Sequence, residues 1–189
     1  SAAFAAPQTI KNDAVINIMN KEITRSFKKL KKITPPVYFL SYTITDVNNY
    51  YASAVLGGIS YEYANTDRFL DVEARVGSRK MDNTRKIKSF DLDDMRRAGG
   101  SAGYAIPLGE DTKTLQTVLW LNTEETVKTA QEDYHRVLTN SATASERSDM
   151  SDDFSAPIPP HSYYDAKEMP VFDKDAVKKQ IKEYSMLFA

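Results

Sequence analysis

Chemistry near neutral pH falls first to histidine and cysteine, and this chain has only two histidines, His135 and His161, and no cysteine. Disulfides, thiol nucleophiles and Cys-ligated zinc are therefore excluded. Neither histidine stands in a metal-ligand spacing. His135 sits between Tyr134 and Arg136, after Glu132 and Asp133, in a stretch of helical periodicity, which reads as a surface position. His161 follows Pro159-Pro160, with Asp149, Asp152 and Asp153 upstream, so a metal-dependent hydrolase built on that histidine and those carboxylates is one alternative. It lacks the spacing of a calcium loop or a zinc helix. Gly99-Gly100-Ser101-Ala102-Gly103 has the composition of a phosphate-cradling loop without its lysine, and reads as a flexible loop.

The basic run Lys28, Lys29, Lys31 and Lys32 falls at a predicted helix end, where cations complement the helix dipole without a partner. Lys+Arg 25 against Asp+Glu 26 leaves a formal net charge of -1, not the broad positive excess of a nucleic-acid binder. No nucleic-acid partner, cofactor or metal site is expected, and no catalytic residue. What remains is aromatic. Tyr50, Tyr51, Tyr61 and Tyr63 surround one strand, where a row of rings offers a surface to an extended peptide or a sugar. Cross-strand packing accounts for the same four without any ligand.

The elements that must position these residues follow from periodicity. Asn12 or Asp13 caps a helix with apolar residues at Ile16, Met19, Ile23, Phe27 and Leu30 and lysines and arginine opposite; Pro35-Pro36 ends it. From Val37 the period becomes two, giving a strand to Thr45 and a turn at Asp46, Asn48 and Asn49. A second strand follows from Tyr50 to Tyr63, with a bulge or bend at Gly57-Gly58, then a turn at Asn65-Thr66-Asp67 and a third strand with Leu70, Val72, Ala74 and Val76 on one face. Residues 77–110 read as a long connection with one short strand. Asp111 or Thr112 caps a long helix striped by Leu115, Val118, Leu119, Val127, Ala130, Tyr134 and Leu138, and Asp173 caps a last helix striped by Val177, Ile181, Tyr184 and Phe188.

The expected fold is thus α+β: an antiparallel β-meander covered by a long helix, with an N-terminal amphipathic helix and a C-terminal helix after an extended arm. Residues 1–12 form a flexible start, 13–138 the core, 139–172 a polar and proline-rich linker, and 173–189 the final helix. The opening Ser1-Ala2-Ala3-Phe4-Ala5-Ala6-Pro7 reads like the small-residue end of a secretory signal, so an exported, periplasmic or secreted location is expected. No stretch reaches the length of a membrane span.

Three stretches carry a family resemblance: MNKEITRSFKKL (19–30), PVYFLSYTITD (36–46) and LDVEARVGSRKMDNT (70–84). With Leu119-Trp120, Asp152-Asp153-Phe154-Ser155 and Glu183-Tyr184-Ser185, they resemble the N-terminal region of exported proteins related to the TldD/PmbA peptidases, also labelled modulators of DNA gyrase. The resemblance implies a zinc-dependent, peptide-trimming protein whose N-terminal α+β region precedes a β-rich C-terminal domain. The His-Glu-x-x-x-His helix of such peptidases is absent here, so no catalytic residue carries over. The resulting expectation is a non-catalytic binding or assembly domain that supports or gates peptide access to a peptidase domain, downstream in the same protein or in a partner subunit. The alternative to it, beside the hydrolase, is a stand-alone exported ligand-binding protein using the tyrosine-rich sheet.

Overall fold

The structure is a computed structural model, and it describes residues 13–85, 103–143, 151–156 and 172–187. Its elements are α1 (Ala14–Leu30), β1 (Val37–Val55), β2 (Gly58–Ser78), β3 (Met81–Asp82), β4 (Tyr104–Ile106), α2 (Thr112–Thr143) and α3 (Lys174–Met186). Helices and an antiparallel sheet in the order β1-β2-β3, with β4 also on β2, make the chain α+β, as its periodicity predicts. The described residues divide into two compact units, one of which takes residues 46–68 and 172–187, while the other holds the rest.

In the larger unit, Asp13 caps α1 by accepting the Ile16 amide at 3.0 Å. The helix turns Ile18, Glu22 and Ser26 fully inward, flanked by half-buried Val15, Met19, Ile23, Phe27 and Leu30. Ile16, expected on that stripe, is exposed, because the buried line runs one residue pair round from it. On β2, Leu70, Val72, Ala74 and Val76 are buried while Asp71 and Glu73 are exposed, the alternation expected of a strand with one wet face. They join Val37, Leu40 and Ile106 and the α2 residues Leu115, Leu119, Val127 and Ala130 in one core. Leu138 lies exposed and Val137 takes the buried place, and α2 continues to Thr143 instead of ending at 138.

The strand boundaries need correction. Two long strands stand where three were expected, and the turn falls at Leu56-Gly57, whose φ angles of 49° and 80° are the positive pair that a two-residue hairpin of the right twist requires. The polar clusters expected to be turns lie within the strands, roughly equally far from that hairpin, and pair with each other. Arg68 forks onto Asp46 at 2.6 and 2.7 Å, Thr66 donates to Asn48 at 2.6 Å, and Asn49 to Asp67 at 3.3 Å. Asp46, Asn48, Asn49, Thr66 and Asp67 thus find partners across the ladder, while Asn65 donates locally to Asp67.

In the smaller unit α3 begins at Asp173, which accepts the Asp175 and Ala176 amides. Phe172 packs on Tyr50 at 5.6 Å, Lys178 pairs with Glu62 at 3.4 Å, and the Gly57 amide donates to Ser185 Oγ at 2.8 Å. The φ of 80° at Gly57 favours glycine, and a Cβ there would stand 2.6 Å from Sδ of the exposed Met186 side chain, which would have to move aside. No residue of α3 is buried: Val177 and Ile181 are half-buried and Tyr184 is exposed, against the expectation of a docked apolar stripe; Phe188 lies outside the described residues.

Candidate functional site

Successive strand residues face opposite sides of a sheet, and the four candidate tyrosines divide accordingly. Tyr50 turns toward α3, with Phe172 at 5.6 Å, Lys174 Nζ 5.1 Å from its ring centre and its hydroxyl donating to Glu62 at 3.1 Å. Tyr51, Tyr61 and Tyr63 form a row. The first pair of ring centres lies 5.7 Å apart and the second 6.5 Å, the latter rings stacked at 21°. They are 57%, 54% and 46% exposed. The structure therefore brings three of the four candidates together and gives Tyr50 a packing role.

The larger unit holds a polar network that residue-type reasoning passed over. Asp82, fully buried, accepts from the Tyr38 hydroxyl at 2.5 Å, from the Thr84 hydroxyl at 2.7 Å and amide at 2.8 Å, and from Arg75 at 3.3 Å. Its own amide donates to Asp153, which Arg85 clasps at 2.8 Å. Above them the Arg75 guanidinium lies 4.2 Å from the Phe154 ring centre, and Phe154 packs edge-on against Phe39 and Tyr38. All of these residues but Arg85 come from three of the sequence stretches quoted above. Gly77 belongs to the same turn: with φ at +106°, a Cβ there would meet the Tyr134 ring at 2.4 Å.

A second buried carboxylate, Glu22 at 3% exposure, accepts from Arg25 at 2.8 and 2.5 Å and from Ser26 at 2.8 Å. Nearby, the Thr123 hydroxyl donates to the Leu119 carbonyl, which leaves Tyr42 as the donor in its 2.6 Å bond to Thr123. For Asp82, burial by itself would raise the carboxyl pKa, yet the bonds from Tyr38, Thr84 and Arg75 together outweigh it and hold the group below its ordinary value. In Glu22, too, burial is overcome, here by Arg25 and Ser26. Burial and the Asp82 carboxylate push the Tyr38 hydroxyl up, so it stays a donor.

Carboxylates depressed in the folded state contribute stability that is complete above the unfolded value of about 4 and is lost as the pH falls through the folded values. The urea midpoint is therefore expected to hold level above about pH 5 and to drop below it, with Asp82→Asn flattening the drop. A midpoint in Asp82→Asn that falls as steeply as the parent's would show that Asp82 does not drive it.

His135 is exposed on α2, and His161 and Asp149 lie outside the described residues, as do Gly99 to Ala102. Asp153 is tied to Arg85 and the Asp82 amide, and among the described residues no three His, Cys, Asp or Glu side chains gather as metal ligands. Lys28 and Lys31 border an apolar groove of about 570 Å³ that Ile23, Phe27, Tyr38, Phe39 and Leu40 also line. No described helix is long and apolar enough to cross a membrane.

Fold and surface together define an α+β domain with a satisfied buried polar network and a projecting aromatic face. No protein-family model, curated protein or solved structure matches the chain.

Proposed function

We propose that this chain is a non-catalytic binding or assembly domain whose contact surface is the Tyr51, Tyr61, Tyr63 face. The observation that carries it is the exposure of three rings in a row, Tyr51 tilted against Tyr61 and Tyr61 stacked on Tyr63, each about half open to solvent. Tyrosine gives large contact area at low conformational cost and ends in a hydroxyl that donates and accepts, which is why it concentrates in recognition surfaces. The sequence resemblance to TldD/PmbA-like proteins supports an exported setting and a task of supporting or gating peptide access to a peptidase domain. Extended polypeptide is the matching ligand class, since a row of rings drawn from β1 and β2 can meet successive side chains of a chain laid along it.

The test is titration of the whole chain with an unfolded polypeptide, reduced and carboxymethylated lactalbumin, followed by tyrosine fluorescence and calorimetry. Saturable binding is expected, weakened about tenfold or more in Tyr61→Ala, the central ring, with the unfolding midpoint kept. Absence of binding by the parent, or equal binding by Tyr61→Ala, would overturn it. Equal binding by a Tyr50→Phe control is expected, since that hydroxyl serves Glu62.

A further inference from the structure

The tyrosine face is one surface of the hairpin; its edge is another. Among the described residues β1 ends the sheet, paired only with β2, and through Val37–Val55 it carries no proline, lysine or arginine and one acidic residue, Asp46. Proline and lysine are the usual guards of an exposed edge. In a chain that is 27% charged, no Asp, Glu, Lys or Arg lies between Val47 and Tyr61. Nor is any described residue of 46–68 or of α3 buried, although a two-stranded ribbon is marginal in water until further strands or a packed face complete it.

We propose that two copies of this chain join edge to edge through the Asp46–Val55 part of β1, antiparallel about a two-fold axis, making the hairpins one four-stranded sheet. The segment suits itself as a mate. A two-fold centred near Tyr51 sets Val47 near Val55 and Asn49 near Ser53 of the other copy, apolar beside apolar and amide beside hydroxyl. Absence of charge along Val47–Val55 removes the like-charge repulsion that self-pairing would otherwise meet. The main-chain amides and carbonyls of a sheet edge supply the bonds. The tyrosine rings lie on the face of the sheet and not on its edge, and the two-fold sets Tyr51 beside its counterpart, joining the two rows into one.

Sedimentation equilibrium of the whole chain is expected to show a concentration-dependent dimer, with amide exchange in Asp46–Val55 slowing as protein concentration rises. Asn49→Lys with Ser53→Lys, and separately Asn49→Glu with Ser53→Glu, keep every tyrosine and are each expected to weaken the dimer about tenfold. Mixing the two variants is expected to restore it as a heterodimer, a rescue that misfolded chains would not give. A parent that stays monomeric, variants that dimerise like the parent, or a mixture without heterodimer would overturn the proposal. So would edge amides that slow only when unfolded lactalbumin is added, which would assign the edge to a peptide strand.

Discussion

Asp82→Ala is expected to destabilise the larger unit by roughly 3–5 kcal/mol, the range seen when one partner of a buried, hydrogen-bonded ion pair is removed. The carboxylate accepts four bonds from Tyr38, Thr84 and Arg75. Without it the Tyr38 hydroxyl and the Thr84 amide lose their acceptor, and each bond left unmade where water does not replace it costs about 1–3 kcal/mol. Arg75 keeps Glu73 at 2.9 Å, which limits the damage on that side. Asp82→Asn retains one carbonyl acceptor and should fall between parent and alanine. Urea unfolding at neutral pH measures this; an Asp82→Ala midpoint that implies a loss under about 1 kcal/mol would mean the network is not what holds the turn.

Val72→Asp is expected to abolish the folded state. Val72 is 7% exposed between Leu70 and Ala74 on the face of β2 that joins the core. A carboxylate there meets no donor among the apolar residues of that cluster, and an unpaired buried charge costs more than the roughly 5–15 kcal/mol by which a domain of this kind is stable. The neighbouring face is the control. Asp71 is exposed, and Asp71→Asn should change stability by no more than about 0.5 kcal/mol. Circular dichroism and urea titration distinguish the cases: cooperative unfolding of Val72→Asp near the parent's midpoint would place the core on the other face.

The turn that Asp82 anchors joins β2 to β3, and its amide partner Asp153 fastens the 151–156 segment beside it. Loss of either carboxylate would therefore loosen a segment with no element of its own. On the hairpin the support is different in kind: α3 touches it through Phe172, Lys178 and Ser185 and buries nothing fully. Such a region has few buried contacts to oppose local opening, and proteolysis or amide exchange should report it first.

Much of the fold was legible from local patterning. Helix starts at Asp13 and Asp173 follow from the need of first-turn amides for a short acceptor, and the 70, 72, 74, 76 alternation settles which face of β2 is apolar. Such signals act between residues a few positions apart. The aromatic candidates were legible as a group, although only pairing across the hairpin separates Tyr50 from the other three.

Where local signals conflict with distant partners, the sequence misleads. Asp46, Asn48, Asn49, Asn65, Thr66 and Asp67 have every mark of turn residues, and each cluster alone would favour a turn, because short polar side chains bond to nearby backbone. Brought opposite each other by the Leu56-Gly57 hairpin, all of them but Asn65 bond across the strands instead, and Asn65 keeps a local bond to Asp67. Glu22 likewise breaks the pattern of an inward helix face and is tolerated because Arg25 and Ser26 satisfy it in place. Asp82, Tyr38, Arg75 and Asp153 are ordinary surface types in sequence, separated by up to 115 positions between Tyr38 and Asp153. The sequence by itself determined the periods, the caps and the class α+β, since these depend on neighbours along the chain. Tertiary structure alone decided where the hairpin turns, which tyrosines stay open and which carboxylates are buried, since each of these depends on a partner supplied from far away.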